Sequence, residues 1–238
     1  MSDWTGKDLL TFYTALHQAF GPRNWWPSDS AFETIIGAIL AQNVSWNGAA
    51  QAVCALKERG LLDADALYKA GPQTIAPLIR SSRYYNQKAQ RIITFVTWFL
   101  NACTGDIEQM KSLPCRDLRK ELLNLSGFGP ETVDSILLYA LEKPIFVVDA
   151  YTRRIGMRQG WFSEDVSYSE MQTFFMKRLK KDTPLYNDFH AQIVHLGNKI
   201  CKKIPHCSSC PVQNTPCMNQ CQYAQNPKNP RNASALNE

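Results

Sequence analysis

Apolar residues return at three- and four-residue intervals along most of the chain, and the pattern predicts one helix after another. Leu9, Leu10, Phe12, Tyr13, Leu16 and Phe20 place a helix over residues 8–20. A second, over 31–42, follows the capping run Ser28-Asp29-Ser30 and is apolar on nearly every side through Phe32, Ile35, Ile36, Ile39 and Leu40, which makes it a buried central helix. Ser45 caps a third that runs to Arg59, and two short helices over 61–70 and 73–79 are split by Gly71-Pro72. Helices over 89–102 and 112–125 come next, then 167–180 and 185–199 near the end, with a loop over 156–164. Strand content is expected to be close to nil, so the fold class is all-α.

The most informative stretch joins two of these helices. Leu122, Leu123 and Leu125 form an apolar stripe that Ser126-Gly127-Phe128-Gly129 interrupts, and Pro130 opens a helix through Val133, Ile136, Leu137 and Ala140. Two glycines around one apolar residue suit a tight turn that needs positive φ, and proline is at home in a first helical turn. Free backbone N–H groups at such a turn, beside a helix N-terminus, form an anion site. Lys143-Pro144 ends that helix, Ile145–Val148 is apolar and extended, and Asp149 stands before Ala150-Tyr151-Thr152-Arg153-Arg154 as an N-cap. A carboxylate at a helix start stays ionised readily, because the helix dipole favours the anion.

The order LxxLxGxGxxT, about 20 residues, VVD and a helix with arginines resembles the helix-hairpin-helix DNA glycosylases of the endonuclease III superfamily. The resemblance implies that Gly127 and Gly129 bind backbone phosphates and that Asp149 is catalytic. It also implies that Gln42 inserts into the DNA stack where the damaged nucleotide has left. Residues 81–89, SSRYYNQKA, resemble the family's YN-x-KA signature, which makes Tyr84 a second wedge against the opposite strand. Lys88 and Arg91 are expected on a solvated face, and His190 and His195 as structural residues of their helix. Members that also cut the strand carry a lysine two residues after the second hairpin glycine; this chain has Glu131 there. The GxGxE hairpin, VVD, WWP and YNQKA together look most like the bacterial 3-methyladenine DNA glycosylase III group.

Composition changes the picture mainly at the C-terminal end. The chain has 238 residues, 45% apolar and 20% charged, with a net charge of +5 that mildly favours a polyanionic partner. No apolar run reaches the ~18 residues of a membrane span, and MSDWTGKDLL is no signal peptide. The expected setting is therefore cytoplasmic and nucleoid-associated, with thiols reduced. Five of eight cysteines crowd into residues 201–221. Cys201, Cys207, Cys210 and Cys217 suit either a structural zinc or a 4Fe–4S cluster. The resemblance favours the iron–sulfur cluster, because family members carry GxxxC before a compact loop, as Gly197 to Cys201 does here. The family spacing is six, two and five, whereas this chain shows five, two and six, which leaves Cys217 against Cys221 open as the fourth ligand. Lys202 and Lys203 in the loop are expected to meet phosphates.

The resemblance implies a two-lobed fold: a helical barrel lobe over 31–143, a second lobe of 1–30 plus 144–223 with the cysteine loop, and a flexible tail over 224–238. It implies a monofunctional glycosylase, a monomer acting on double-stranded DNA with a damaged base. Glycosidic cleavage passes through an oxocarbenium-like sugar, which an ionised carboxylate stabilises. A base already positive, such as 3-methyladenine, leaves with little acid catalysis. Trp25, Trp26 and Trp46 are candidates for the slot that holds such a base, or else they plug a core edge. Glu131 either adds a carboxylate to the pocket or serves its own helix start. The rival readings are a mismatch uracil, thymine or adenine glycosylase, a binder of distorted DNA and a redox-sensing DNA protein.

Overall fold

The computed structural model describes residues 4–215 and Cys221, and among these it contains helices and no strand. The all-α expectation holds. The chain forms two compact units, one of residues 1–25 and 145–238 and the other of residues 26–144. The expected tail over 224–238 and Cys217 lie outside the described residues.

α1 (Gly6–Phe20) belongs to the first of these units, and residues 26–144 form the second. Its own helices are α2 (Ala31–Leu40), α3 (Trp46–Glu58), α4 (Ala64–Leu78), α5 (Tyr85–Cys103), α6 (Ile107–Ser112), α7 (Cys115–Leu123) and α8 (Pro130–Ser135). Side-chain oxygens of Ser30, Ser45, Asp63 and Asp106 accept N–H groups at the starts of α2, α3, α4 and α6. α2 is buried from Phe32 through Leu40 except at Glu33, so Ile35, Ile36, Ile39 and Leu40 form the centre of this unit. Each contributes about 2 kcal/mol through burial. α4 is two short helices that meet at Gly71, whose φ of 69° breaks the run before Pro72. The buried Asp134 of α8 accepts two hydrogen bonds from Arg119 of α7, at 2.7 and 3.0 Å, and this fork holds the two helices of the hairpin together. Beyond Ser135 the backbone continues as one π turn over Ile136–Ala140.

The other unit is built on aromatic rings. It comprises α1, α9 (Ala150–Arg158), α10 (Tyr168–Arg178) and α11 (Thr183–Lys199). Trp4, Phe12, Trp161, Phe175, Phe146 and Phe189 pack edge-on or stacked, with Phe146 and Phe175 only 4.1 Å apart. Asp188 of α11 ties the N-terminal segment to this core. It accepts from Tyr13 Oη at 3.0 Å, from the Arg23 N–H at 2.8 Å and from Gln192 Nε2 at 3.1 Å, and lies 2.9 Å from His17 Nδ1. Burial and this carboxylate push the Tyr13 hydroxyl up to about 12.

Candidate functional site

The hairpin is held from below. Gly127 has φ 86°, a value that suits glycine, and a Cβ there would fall 2.4 Å from Arg91 Nε. Phe128 points into the core, 5% exposed and stacked on Phe95, and leaves the backbone of Gly127 and Gly129 outward. Gly129 caps α8 without a side chain, and space around it is open. The first-turn N–H groups of α8 therefore face outward beside two glycines, the arrangement that accepts an anion. Glu131, exposed, stands in that first turn.

Gln42, two residues beyond α2, joins this hairpin. Its amide nitrogen donates to the Gly127 carbonyl at 3.1 Å and to Thr132 Oγ1 at 2.8 Å, and its oxygen accepts from Arg91 Nη1. Tyr84 is 62% exposed with φ 44°, and Arg83 and Asn43 also have positive φ, so the segment after α2 and the segment before α5 both carry strained, left-handed backbone. The expected solvated face of Lys88 and Arg91 is corrected here. Lys88 is fully buried, and its ammonium donates to the Leu40 carbonyl at 2.7 Å and to the Ser82 carbonyl. Arg91 is half-buried beneath the hairpin. Lys88 falls on the inner side of α5 because the helix begins at Tyr85, four residues before the expected start, and Arg91 lies about one turn further on at the edge of that side.

Trp26 and Trp46 meet edge-on at 4.9 Å, and Tyr139 lies 5.7 Å from Trp26. They border a cavity of about 190 Å³ between α2 and α3, with Gly37, Val53, Glu33 and Lys57 on its walls. Trp46 is 39% exposed. Trp25 is half-buried and belongs to the other unit, and neither it nor Glu131 lines this cavity.

In the other unit Asp149 caps α9. Its Oδ1 accepts from the Thr152 N–H at 2.7 Å and from the Thr152 hydroxyl at 2.9 Å, and its Oδ2 lies 3.7 Å from His190 Nε2 of α11. The side chains of Asp149 and His190 are 12% and 7% exposed. Burial pushes this carboxyl up, but the nearby His190 ring, with the two donors of Thr152, outweighs it. The group rests below the ordinary aspartate range. It is an ionised carboxylate held in a nearly dry place.

The far end of α9 reaches the cysteine loop. Arg154 donates to the carbonyls of Gly197 at 2.7 Å and Cys201 at 2.9 Å, and Arg158 to those of Lys202 at 2.7 Å and Lys203 at 3.0 Å. Arg158 Nη1 also lies 3.1 Å from Cys201 Sγ. The side chains of Lys202 and Lys203 are exposed. Cys201, Cys207, Cys210 and the buried Cys221 line one small cavity with Ile155, Leu196 and Pro205. Burial pushes the Cys210 thiol up to about 12, and Cys201, Cys221 and Cys207 add to the rise. Four sulfurs converging on one cavity are a soft donor set, and a bound cation would stabilise the thiolates that burial disfavours, so the donor chemistry fits a thiolate-held centre. Among the described residues no three such groups already stand where they could hold a metal ion.

A family model described as HhH-GPD superfamily base excision DNA repair protein matches residues 36–181. The chain belongs to this superfamily. It is a DNA N-glycosylase of the helix-hairpin-helix, endonuclease III superfamily. A provisionally named DNA repair glycosylase of Methanocaldococcus jannaschii is 40% identical over 86% of this chain and 94% of that protein. Endonuclease III of Sulfolobus acidocaldarius is 31% identical over 77% of this chain and 80% of its own length. Among solved structures, the 3-methyladenine DNA glycosylase of H. pylori bound to 1,N6-ethenoadenine has a TM-score of 0.71 at 27% identity, covering 82% of this chain and 97% of that one.

As a member of the HhH-GPD superfamily the chain also carries groups that sequence reasoning did not reach. His190 is separated from Asp149 by 41 positions, and nothing in the spacing joins them. Arg154 reads as part of a basic helix and Arg158 as part of the loop over 156–164, although both donate to backbone carbonyls of the cysteine loop. Lys88 was the most concealed: an ammonium buried on an apolar helix face leaves no mark in the periodicity. No helix among the described residues is long and apolar enough to cross a membrane.

Proposed function

We propose that this HhH-GPD protein is a monofunctional glycosylase that releases alkylated purines such as 3-methyladenine from double-stranded DNA and leaves the strand intact. One observation carries the reading: the hairpin position two residues after Gly129 holds Glu131, a carboxylate, and offers no amine for a covalent imine. The likeness to a 3-methyladenine DNA glycosylase supports the choice of base.

Asp149 is the catalytic group. Its ionised carboxylate stabilises the positive charge that grows on the sugar as the glycosidic bond lengthens, or activates the water that follows. His190 and Thr152 keep it ionised. An alkylated purine carries positive charge itself and departs as a neutral base, so no strong general acid is needed. Flipping makes the bond accessible. Gln42 and Tyr84 fill the stack, while Gly127 and Gly129, with Lys202 and Lys203, grip phosphates. Trp26 and Trp46 offer the aromatic slot, where a cationic base gains about 0.5–2 kcal/mol; Trp25 is the third candidate. Glu131 adds a negative field or a hydrogen-bond acceptor. Cys201, Cys207 and Cys210, with Cys217 or Cys221, hold a 4Fe–4S cluster of structural role, or zinc in the alternative. The protein works as a monomer on nucleoid DNA in the cytoplasm.

A panel of duplexes with single lesions tests the substrate. Release of 3-methyladenine without strand cleavage, and without borohydride trapping, is the expected result. Faster release of uracil or thymine from a mismatch, or of adenine opposite an oxidised guanine, would replace this reading with its rival. A trapped covalent adduct would overturn the monofunctional assignment.

A further inference from the structure

Lys88 occupies a site that a purely apolar side chain would fill more cheaply. Burying an ammonium is expensive unless its hydrogen bonds are met by groups that need them. Its two recorded partners are both carbonyls, and among the described residues it forms no ion pair. One carbonyl belongs to Leu40, the last residue of α2, where the helix leaves acceptors without intrahelical donors. The other belongs to Ser82, the last residue of the 3₁₀ turn Arg80–Ser82.

The register is what gives this pair meaning. Gln42 follows Leu40 by two residues and Tyr84 follows Ser82 by two. Both following segments enter the left-handed region without glycine: Asn43 has φ 52°, Arg83 φ 56° and Tyr84 φ 44°. Conformations of this kind persist only where the surroundings over-determine them. A mobile side chain could not do so, but an ammonium fixed in the core by α5, with all its bonds directed to the two chain segments, can.

We infer that Lys88 is a positioning residue that sets Gln42 and Tyr84 at a fixed height relative to one another, so that the two wedges enter the duplex as one piece. The inference rests on the proposed wedge roles of Gln42 and Tyr84, not on the identity of the lesion. Burial and the nearby Arg91 bring the ammonium down to about 8, so it remains largely charged at neutral pH.

The test uses the whole protein and a duplex holding a tetrahydrofuran abasic analogue with 2-aminopurine opposite it. Wild-type binding should change the fluorescence of 2-aminopurine at least twofold, and Gln42→Ala and Tyr84→Ala should each remove part of that change. Lys88→Met should bind the duplex within threefold of wild type, because the glycine hairpin is untouched, yet lose at least half of the fluorescence change. Adding Gln42→Ala or Tyr84→Ala to Lys88→Met should then alter the signal little. A full fluorescence change in Lys88→Met, additive losses in the double variants, or a parallel loss of affinity and signal would overturn the inference. Should Lys88→Met prove too unstable to assay, Lys88→Gln, which is one atom shorter and carries no charge to hold both carbonyls, is read by the same criteria. A wild-type protein that binds with no fluorescence change would instead sink the wedge reading itself.

Discussion

The two units hold their functional groups by opposite means. In the aromatic unit the key group is nearly dry, and side chains fix it: Thr152 and His190 surround Asp149 in a well-packed wall. In the aliphatic unit the groups that would meet DNA sit at strained tips, and cations stand beneath them: buried Lys88 bonds the backbone ahead of Gln42 and Tyr84, and half-buried Arg91 lies against Gly127 and donates to Gln42. A carboxylate that must stay charged needs controlled surroundings, and low polarity makes each of its partners count for more. A wedge or phosphate grip must remain reachable, so its precision has to come from underneath.

This contrast predicts that substitutions around Asp149 change rate and those at the glycine hairpin change binding. The largest effect should come from Asp149→Asn, which should slow single-turnover excision by about 10³-fold while duplex affinity stays within threefold. An equal fall in affinity would break the contrast. Next, Arg119→Ala leaves the buried Asp134 without its fork and should destabilise the protein by about 3–5 kcal/mol, measured by denaturant unfolding.

The pH dependence follows from the sign of the Asp149 shift. Its folded-state value lies below the unfolded one, so it adds stability above the unfolded value, and that stability is lost as pH falls through the folded value. Excision should accordingly show no acid limb from this group in the ordinary carboxylate range. His190→Phe leaves burial less opposed and should bring an acid limb upward into that range, read from a pH–rate profile. Gly127→Ala combines positive φ with the Arg91 clash and should cost about 1–3 kcal/mol of stability and weaken duplex binding, with little change in the rate once bound. Trp46→Ala, partly exposed, should give the smallest loss: about 0.5–2 kcal/mol in discrimination for a cationic base, seen as a lower excision rate with unchanged affinity for an abasic duplex.

How much of this was legible beforehand depends on the range of the interaction. The all-helical fold, the Ser45 cap, the break at Gly71, the hairpin glycines and the Asp149 cap all rest on neighbours a few residues apart, and the chain displays them openly. The helix expected over 31–42 ends two residues early, because Ala41 closes α2 as its C-cap and Gln42 beyond it bonds the hairpin. The loop expected over 156–164 begins later, since α9 continues to Arg158, whose guanidinium grips carbonyls 44 and 45 positions away. Lys88 and His190 take their importance from partners far along the chain, and a single sequence records no such pairing. Lys88 would have been flagged only by asking why a lysine stands on the inner face of α5.

α9 is the shortest route between two kinds of vulnerability. Asp149 caps its first turn, while Arg154 and Arg158 near the other end are moored to the thiol-bearing loop, a rod of roughly 13 Å. A reagent that never reaches the acid, such as an alkylator or oxidant of those sulfurs, can thus loosen the anchor of the very helix that aims it. The same electrophiles that injure DNA bases would then disarm the protein sent to repair them.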